Sequence, residues 1–313
     1  MLGTYIAHHR RAEYARTLVR MSERAQDLPA IGYDARRTVL DPRQNRLLAA
    51  IEANAYADLL PHLEFVALPE RWVICEAGGM LEHVYFPISG IVSFLFESAS
   101  GTSVEVGLAG SEGLVGIHLL LGGNRPTSRS VVRNSGYGYR LRANVLKAKF
   151  ESCRALRQTL LRYAQALIAQ TTQTAACHCH HRLEQQFARL LLSTLDRLGA
   201  NELALTQDTM ASLLGVRRES ITEVAGRLQT AGLIRYRRGR ITVLNRPRLD
   251  ALVCECYALI RDEFDLLFPR RDATDQPATP IARRFHYTVA SGADVAFADA
   301  RREAQPHRGA FPV

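Results

Sequence analysis

The run from Thr206 to Gly232, TQDTMASLLGVRRESITEVAGRLQTAG, constrains the chain more than any other stretch. Thr206 suits the N-cap of a helix opening at Gln207, and Asp208 in its first turn complements the helix dipole. That helix stops at Gly215, which suits a tight turn with a left-handed backbone. A second helix follows from Arg218 to Ala231, with Gly232 as its stop. Small Ala211 lets the two helices cross closely, and Met210, Leu214, Val216, Ile221 and Val224 fall where such a pair meets its core. Seven positions therefore agree on one helix-turn-helix.

The second helix of that pair turns Arg217, Arg218, Glu219, Thr222 and Glu223 outward near its start, the end that enters a DNA major groove. Arg pairs bidentately with guanine and Glu accepts from cytosine N4, so this face carries the chemistry of direct base readout. After it, LIRYR and RITVL around Arg238-Gly239 read as two short strands of a wing. The expected DNA-contacting set is Thr206, Gln207, Arg217, Arg218, Glu219, Thr222 and Glu223, with Arg238 and Arg240 on the wing for phosphates. Charge agrees with this reading. Between Thr206 and Arg248 stand nine arginines against Asp208, Glu219 and Glu223, a local surplus of six out of the chain's net +9.

The rest of the 313 residues divides by period. Residues 1–44 are Arg-rich with scattered Pro and Gly and read as a loosely ordered extension. RLLAAIEANAYADLLPHL then reads as one or two short helices ending near Pro61. Between Leu63 and Leu141, the runs FVAL, WVIC, HVYF, GIVSFLF, SVEVGL, SVVR and YGYRL alternate with Gly, Ser, Pro and Asn, the spacing of a compact β-sandwich or barrel. From Ala143 a helical period continues for some fifty residues without Gly or Pro, and a helix that long needs a partner. Leu156, Leu160, Tyr163 and Leu167 alternate spacings of four and three, as a coiled-coil seam does, which points to a second copy of the chain. Residues 269–313 have no sustained period and read as a disordered tail.

No apolar run is long enough to span a membrane, and the N-terminus carries charges where a signal peptide has its apolar stretch, so a cytoplasmic location is expected. Six cysteines in such a chain are expected to be reduced. In Cys177-His178-Cys179-His180-His181, only Cys177 and His181 share a helix face. Both continue the proposed seam, so two subunits could bring two thiolates and two imidazoles together around a zinc-like ion. Cys254 and Cys256, two apart on a predicted helix, point to different faces and read as packing. No metal or other cofactor is otherwise expected.

A β-roll, a long helix and a winged helix, in that order, resemble the Crp/Fnr superfamily of bacterial transcription regulators over about residues 45–268. HVYFPISGIVS and VEVGLAGSEGLVG carry the resemblance in the β-region. LTQDTMASLLGVRRESITEVAGRLQTAGLIRYRRGRITV carries it, more specifically, at the C-terminal side. It implies an α+β chain with a jelly-roll (double-stranded β-helix) sensor domain over 45–150, a dimerisation helix over 151–182 and a winged helix-turn-helix over 183–268. It also implies a homodimer on a pseudo-palindromic operator in double-stranded DNA, with RNA polymerase and a small-molecule effector as further partners. Arg218 and Glu219 match the family's base-reading pair, but Glu223 stands where a second Arg is usual, so a different half-site is expected. For an effector pocket, Gly116 and the pair Arg129-Ser130 match part of the cyclic-AMP pattern. Ile117 and His118 follow Gly116 without the ribose-binding carboxylate, which argues against cyclic AMP. No cysteine precedes Cys75, so the family's N-terminal iron-sulphur ligands are missing. The sequence offers no general base beside an open metal position for an enzyme. The alternative is a nucleotide-binding regulatory module without DNA readout, and it lacks an attached catalytic or membrane segment.

Overall fold

The computed structural model describes residues 41–99, 101–123 and 125–267. The expected N-terminal extension lies outside the described residues except for 41–44, and the expected C-terminal tail lies wholly outside them. Asn45 opens the first helix. Its Oδ1 accepts from the Leu48 amide, while its Nδ2 donates to the Pro87 and Gly113 carbonyls, both at 2.8 Å. This fully buried amide anchors α1 (Arg46–Ala50) and, behind it, α2 (Ala53–Leu59) on the β-domain.

Seven strands follow, one for each apolar run of the sequence. They are β1 (Glu64–Leu68), β2 (Val73–Cys75), β3 (His83–Pro87), β4 (Ile91–Glu97), β5 (Ser103–Ala109), β6 (Arg129–Asn134) and β7 (Gly136–Arg142). They form two antiparallel sheets, ordered β1-β7-β3 and β2-β6-β4-β5. Val84, Phe86, Tyr139 and Leu141 from the first sheet share one core with Val92, Phe94, Ala109 and Val132 from the second. This is the expected β-roll, and with the helices around it the chain is α+β.

The long helical stretch is three helices rather than one: α3 (Ala143–Ser152), α4 (Arg154–His180) and α5 (Leu183–Leu198). Cys153 takes an extended conformation between the first two, and His181 and Arg182 do so between the last two. No Gly or Pro marks either break, because tertiary packing imposes both; helical propensity is a weak prior.

The face of α4 proposed as a dimer seam is corrected by the structure. Leu156, Leu160 and Tyr163 are buried in the β-domain core of their own chain, with Leu167 packed partly buried against it. A four-three spacing reports an apolar stripe and does not say what covers it. Along the opposite side run Leu161, Gln165, Ile168, Thr172, Ala175 and Cys179, also spaced four and three and all exposed.

Beyond α5 come β8 (Glu202–Ala204), α6 (Gln207–Leu214), α7 (Arg218–Thr230), β9 (Ile234–Arg237), β10 (Arg240–Val243), α8 (Arg246–Leu252) and α9 (Glu255–Leu267). Strands β8, β10 and β9 make a third antiparallel sheet, in which β8 was not legible in sequence. Helix α9 turns back onto α4, placing Ile260 and Phe264 in the β-domain core and Tyr257 in that of the helix-turn-helix. Among the described residues no helix is long and apolar enough to cross a membrane.

A hydrogen bond from a buried ion pair of the β-domain and one ion pair across the joint fasten α5 to the β-domain. Arg133 Nη1 donates to Glu105 Oε2 at 2.8 Å and its Nη2 to the Thr194 hydroxyl at 2.8 Å, while Ser93 also donates to Glu105. Arg197 Nε donates to Glu112 Oε1 at 2.7 Å. Burial pushes the Arg133 guanidinium below its ordinary pKa, against the pull of Glu105. Glu105→Leu, which strands that cation, should therefore lower unfolding free energy by about 3–5 kcal/mol, while Arg133→Met with Glu105→Leu should lose much less. The check is the urea midpoint at unchanged slope; equal losses would show that an unpaired buried charge is not what the single variant costs.

Candidate nucleic-acid interface

Helix α6 begins as its sequence predicts. The Thr206 hydroxyl accepts from the Thr209 amide at 3.1 Å, satisfying one of the free N–H groups of the first turn. The helix ends at Gly215, whose φ of 65° is left-handed, and Val216 and Arg217 carry the chain into α7. Met210, Ala211, Leu213 and Leu214 from α6 pack with Ile221, Val224, Ala225 and Leu228 from α7. Burial of that stripe decides which side of α7 is left for a ligand.

Arg217, Arg218, Glu219, Thr222 and Glu223 are all exposed on α7 or immediately before it. Arg218 reaches Asp208 Oδ1 at 3.5 Å, a solvent-facing pair that holds the guanidinium only loosely. Thr222 donates to the Gln207 side-chain oxygen at 3.0 Å, so Gln207 links the starts of the two helices. The wing turn is built from Arg238 and Gly239, at φ 50° and 75°. Arg238 is exposed, whereas Arg240 is tied to Glu202 at 2.9 Å and holds that carboxyl below its ordinary pKa. Arg235 and Arg237 are exposed on the same hairpin. Thr206, Asp208, Arg238 and Arg240 also line a cleft of about 470 Å³, with Glu70 and Arg71 of the β-domain on its other wall.

The residues singled out in the β-domain lie on different elements, Gly116 at the start of a short 3-10 helix and Arg129 and Ser130 on a strand. Gly116, at φ 110°, abuts Leu81 and Val84 near β3. Arg129 and Ser130 lie on β6, where Arg129 pairs with both Glu76 and Glu97 at 3.0 Å and Ser130 is buried. A cleft of about 700 Å³ that sequence reasoning missed is lined by Arg125, Arg142 and Lys147 together with His83, Glu82 and Leu119. Its cations come from a loop, a strand end and a helix, so no local motif announces it.

Cys177 and His181 do come together, but within one chain, and Cys254 and Cys256 join them, with all four ligand atoms within 4.8 Å of one another. This corrects the expectation that the two cysteines near the end of the chain merely pack on different faces of a helix. Cys254 lies in the short link before α9, after an extended Val253, and only Cys256 is in the first turn of that helix. The S–H···S contact from Cys254 holds the Cys177 thiol below its ordinary pKa.

Residues 185–252 match the model of the Crp-like helix-turn-helix domain. Solved structures similar to about two thirds of the chain include a Crp/Fnr-family regulator from Eubacterium rectale, with 17% identity, a TM-score of 0.56, and coverage of 67% of this chain and 98% of that one. The c-di-GMP responsive global regulator CLP of Xanthomonas campestris aligns at 21% identity and a TM-score of 0.53, covering 62% of this chain and 100% of its own. A Crp/Fnr-family regulator from Thermus thermophilus aligns at 23% and 0.52, covering 60% and 97%. A search of curated protein sequences finds no match. At these identities the solved structures establish a shared fold.

The left-handed turn at Gly215 sets the angle between α6 and α7. A side chain there would meet Val104 at 3.4 Å, an ordinary contact, so the cost of substitution is that of the backbone. Gly215→Ala should lose about 1–2 kcal/mol, and Gly215→Asn clearly less, because Asn tolerates this conformation. Thermal unfolding of the two variants checks the order; an Ala variant as stable as wild type would remove the requirement for left-handed backbone.

Proposed function

With a Crp-like helix-turn-helix domain and the fold of the Crp/Fnr regulators as premises, we propose that this chain is a cytoplasmic, sequence-specific DNA-binding transcription regulator. It binds a pseudo-palindromic operator as a homodimer. The carrying observation is the exposed start of α7, where Arg217, Arg218, Glu219, Thr222 and Glu223 stand together on one side of a helix whose other side is core. Arg218 and Glu219 supply a donor fork for guanine and an acceptor for cytosine. Thr206 and Arg238 take adjacent phosphates, and opening of the Arg240–Glu202 pair adds a third cation. Phosphate contacts fix the docking, and the α7 side chains choose the bases.

Dimerisation runs through the exposed stripe of α4. Leu161 and Ile168 are 45% and 54% exposed, unusual for large aliphatic side chains in mid-helix, and sit seven residues apart, two turns along the same line. Pairing two such helices presents two α7 readers to successive turns of the major groove, about 34–36 Å apart. The β-domain is the effector domain and RNA polymerase the downstream partner. An anionic effector at Arg129 would have to displace Glu76 and Glu97, whereas the Arg125–Arg142–Lys147 cleft carries a cationic surplus.

Arg218→Ala should cost about 1–3 kcal/mol at the operator and flatten the preference at one base pair. Arg238→Ala should weaken all sequences alike and reduce the salt slope by about one. Anisotropy titrations over a salt series separate the two patterns, and their reversal would overturn this docking of α7. Ile168→Glu should give a monomer by sedimentation at micromolar concentration with the palindrome preference lost; a dimer that persists would move the interface off α4.

A further inference from the structure

We propose that Cys177, His181, Cys254 and Cys256 of a single chain bind one Zn²⁺ ion, which clamps α9 to the joint between α4 and α5. Cys177 Sγ lies 3.6 Å from Cys254 Sγ, and Cys256 Sγ lies 3.4 Å from His181 Nδ1. With zinc bonds of about 2.3 Å to sulphur and about 2.0–2.1 Å to nitrogen, the edges of a tetrahedral site are about 3.8 Å between sulphurs and about 3.5 Å from sulphur to nitrogen. These two separations are close to the edges of such a site, and no other pair of the four atoms is more than 4.8 Å apart.

The fold makes the convergence by two separate routes. Cys177 and His181 are four apart at the last turn of α4, the spacing that puts two side chains on one face. Cys254 and Cys256 would diverge on a continuous helix, but α9 starts only at Glu255, so Cys254 reaches in from the preceding link. Cys177, Cys254 and Cys256 are buried and form a cluster of their own, apart from the two aliphatic cores. Three thiols gathered away from those cores, with an imidazole aimed among them, suit a soft cation better than apolar packing.

Surrounding groups orient the ligands. His181 Nε2 lies 3.2 Å from Glu255 Oε1, and a proton held on that side leaves the Nδ1 lone pair for the metal. Gln173 Nε2 donates to Cys256 Sγ at 3.1 Å, which fixes the position of that sulphur. Arg189, which donates to Thr174 at 3.3 Å and lies beside Cys177, offsets the single net negative charge of a zinc ion with three thiolates. Loading releases three thiol protons to solvent while His181 binds as neutral imidazole, so no oxidant or reductant is needed. Four protein ligands close the coordination sphere, which makes the ion structural or regulatory, without an open position for catalysis. A disulfide accounts for less. Cys177 and Cys254 are well outside the S–S bonding distance of about 2.05 Å, and such a bond would leave Cys256 and His181 without a role.

The test is metal content of the full-length protein, loaded with Zn²⁺ under reducing conditions and freed of excess ion, which is read without DNA and so independently of the proposed regulator function. One zinc per chain is expected, falling close to zero in Cys254→Ser and Cys256→Ser and unchanged in Cys179→Ser, whose thiol is exposed and outside the set. Co²⁺ loading should give the thiolate-to-metal and tetrahedral ligand-field bands of an S₃N site. Should a cysteine variant fail to fold, Glu255→Gln, on an exposed side chain, should still bind one zinc about ten- to a hundredfold more weakly. Zinc retained in Cys254→Ser, equal loss in Cys179→Ser, unchanged affinity in Glu255→Gln, or a protein that takes up no zinc and instead yields a Cys177–Cys254 disulfide would each overturn the proposal.

Discussion

Leu156, Leu160 and Tyr163 place one face of a 27-residue helix inside the β-domain, and the arrangement of the other helices follows from that burial. The contact is polar as well as apolar. Tyr163 donates to the Leu114 carbonyl at 2.9 Å, and the Gln170 side chain accepts the Leu108 amide at 2.8 Å. Each satisfies a buried main-chain group that otherwise costs about 1–3 kcal/mol. Gly113 lies directly under the Tyr163 ring, where a β-carbon would come within 2.8 Å of its hydroxyl. The helix thus sits where the sheet has been cleared for it, and it cannot rotate to offer this face to a second chain without leaving the core.

With α4 fixed in this way, its far end fixes the helix-turn-helix. Helix α5 leaves α4 at a two-residue break and is held from the side by the Arg197–Glu112 pair and by the hydrogen bond from Arg133 to the Thr194 hydroxyl. From α5, Asp196 accepts both Arg246 of α8 and the Tyr257 hydroxyl of α9. Helix α9 then returns to α4, where Phe264 meets the Tyr163 ring at 6.3 Å. The β-domain core, the joint and the helix-turn-helix domain are therefore linked by buried polar contacts and one returning helix rather than by a free linker. A clamp at Cys177, His181, Cys254 and Cys256 sits on the same joint, so a ligand there and a ligand in the β-domain would act on a common mechanical element.

The exposed side of α7 depends on this framework only for its orientation. Its contacts with α6 are local, made by residues within about two dozen positions of one another, and their type and spacing already specify the pair. That is why the helix-turn-helix, its cap at Thr206, its turn at Gly215 and the wing turn at Arg238-Gly239 could be read from the chain with boundaries close to those observed. The seven strands were legible for the same reason, since alternation and turn residues are local signals.

By itself, then, the sequence determined the seven strands of the β-domain, the helical character of the stretch after them, the helix-turn-helix and its outward side chains, because each depends on periods of two to four residues. What covers each apolar stripe was decided only by tertiary structure. Leu156, Leu160 and Tyr163 have the spacing of a coiled-coil seam whether a second chain or their own β-domain buries them, and only the folded chain shows Leu161 and Ile168 to be the exposed pair. The breaks at Cys153 and His181 carry no residue signal, since packing imposes them on a run with helical propensity throughout. Cys254 joins Cys177 across 77 positions of sequence, a separation that no local pattern encodes, because their meeting is set by where α9 returns to α4.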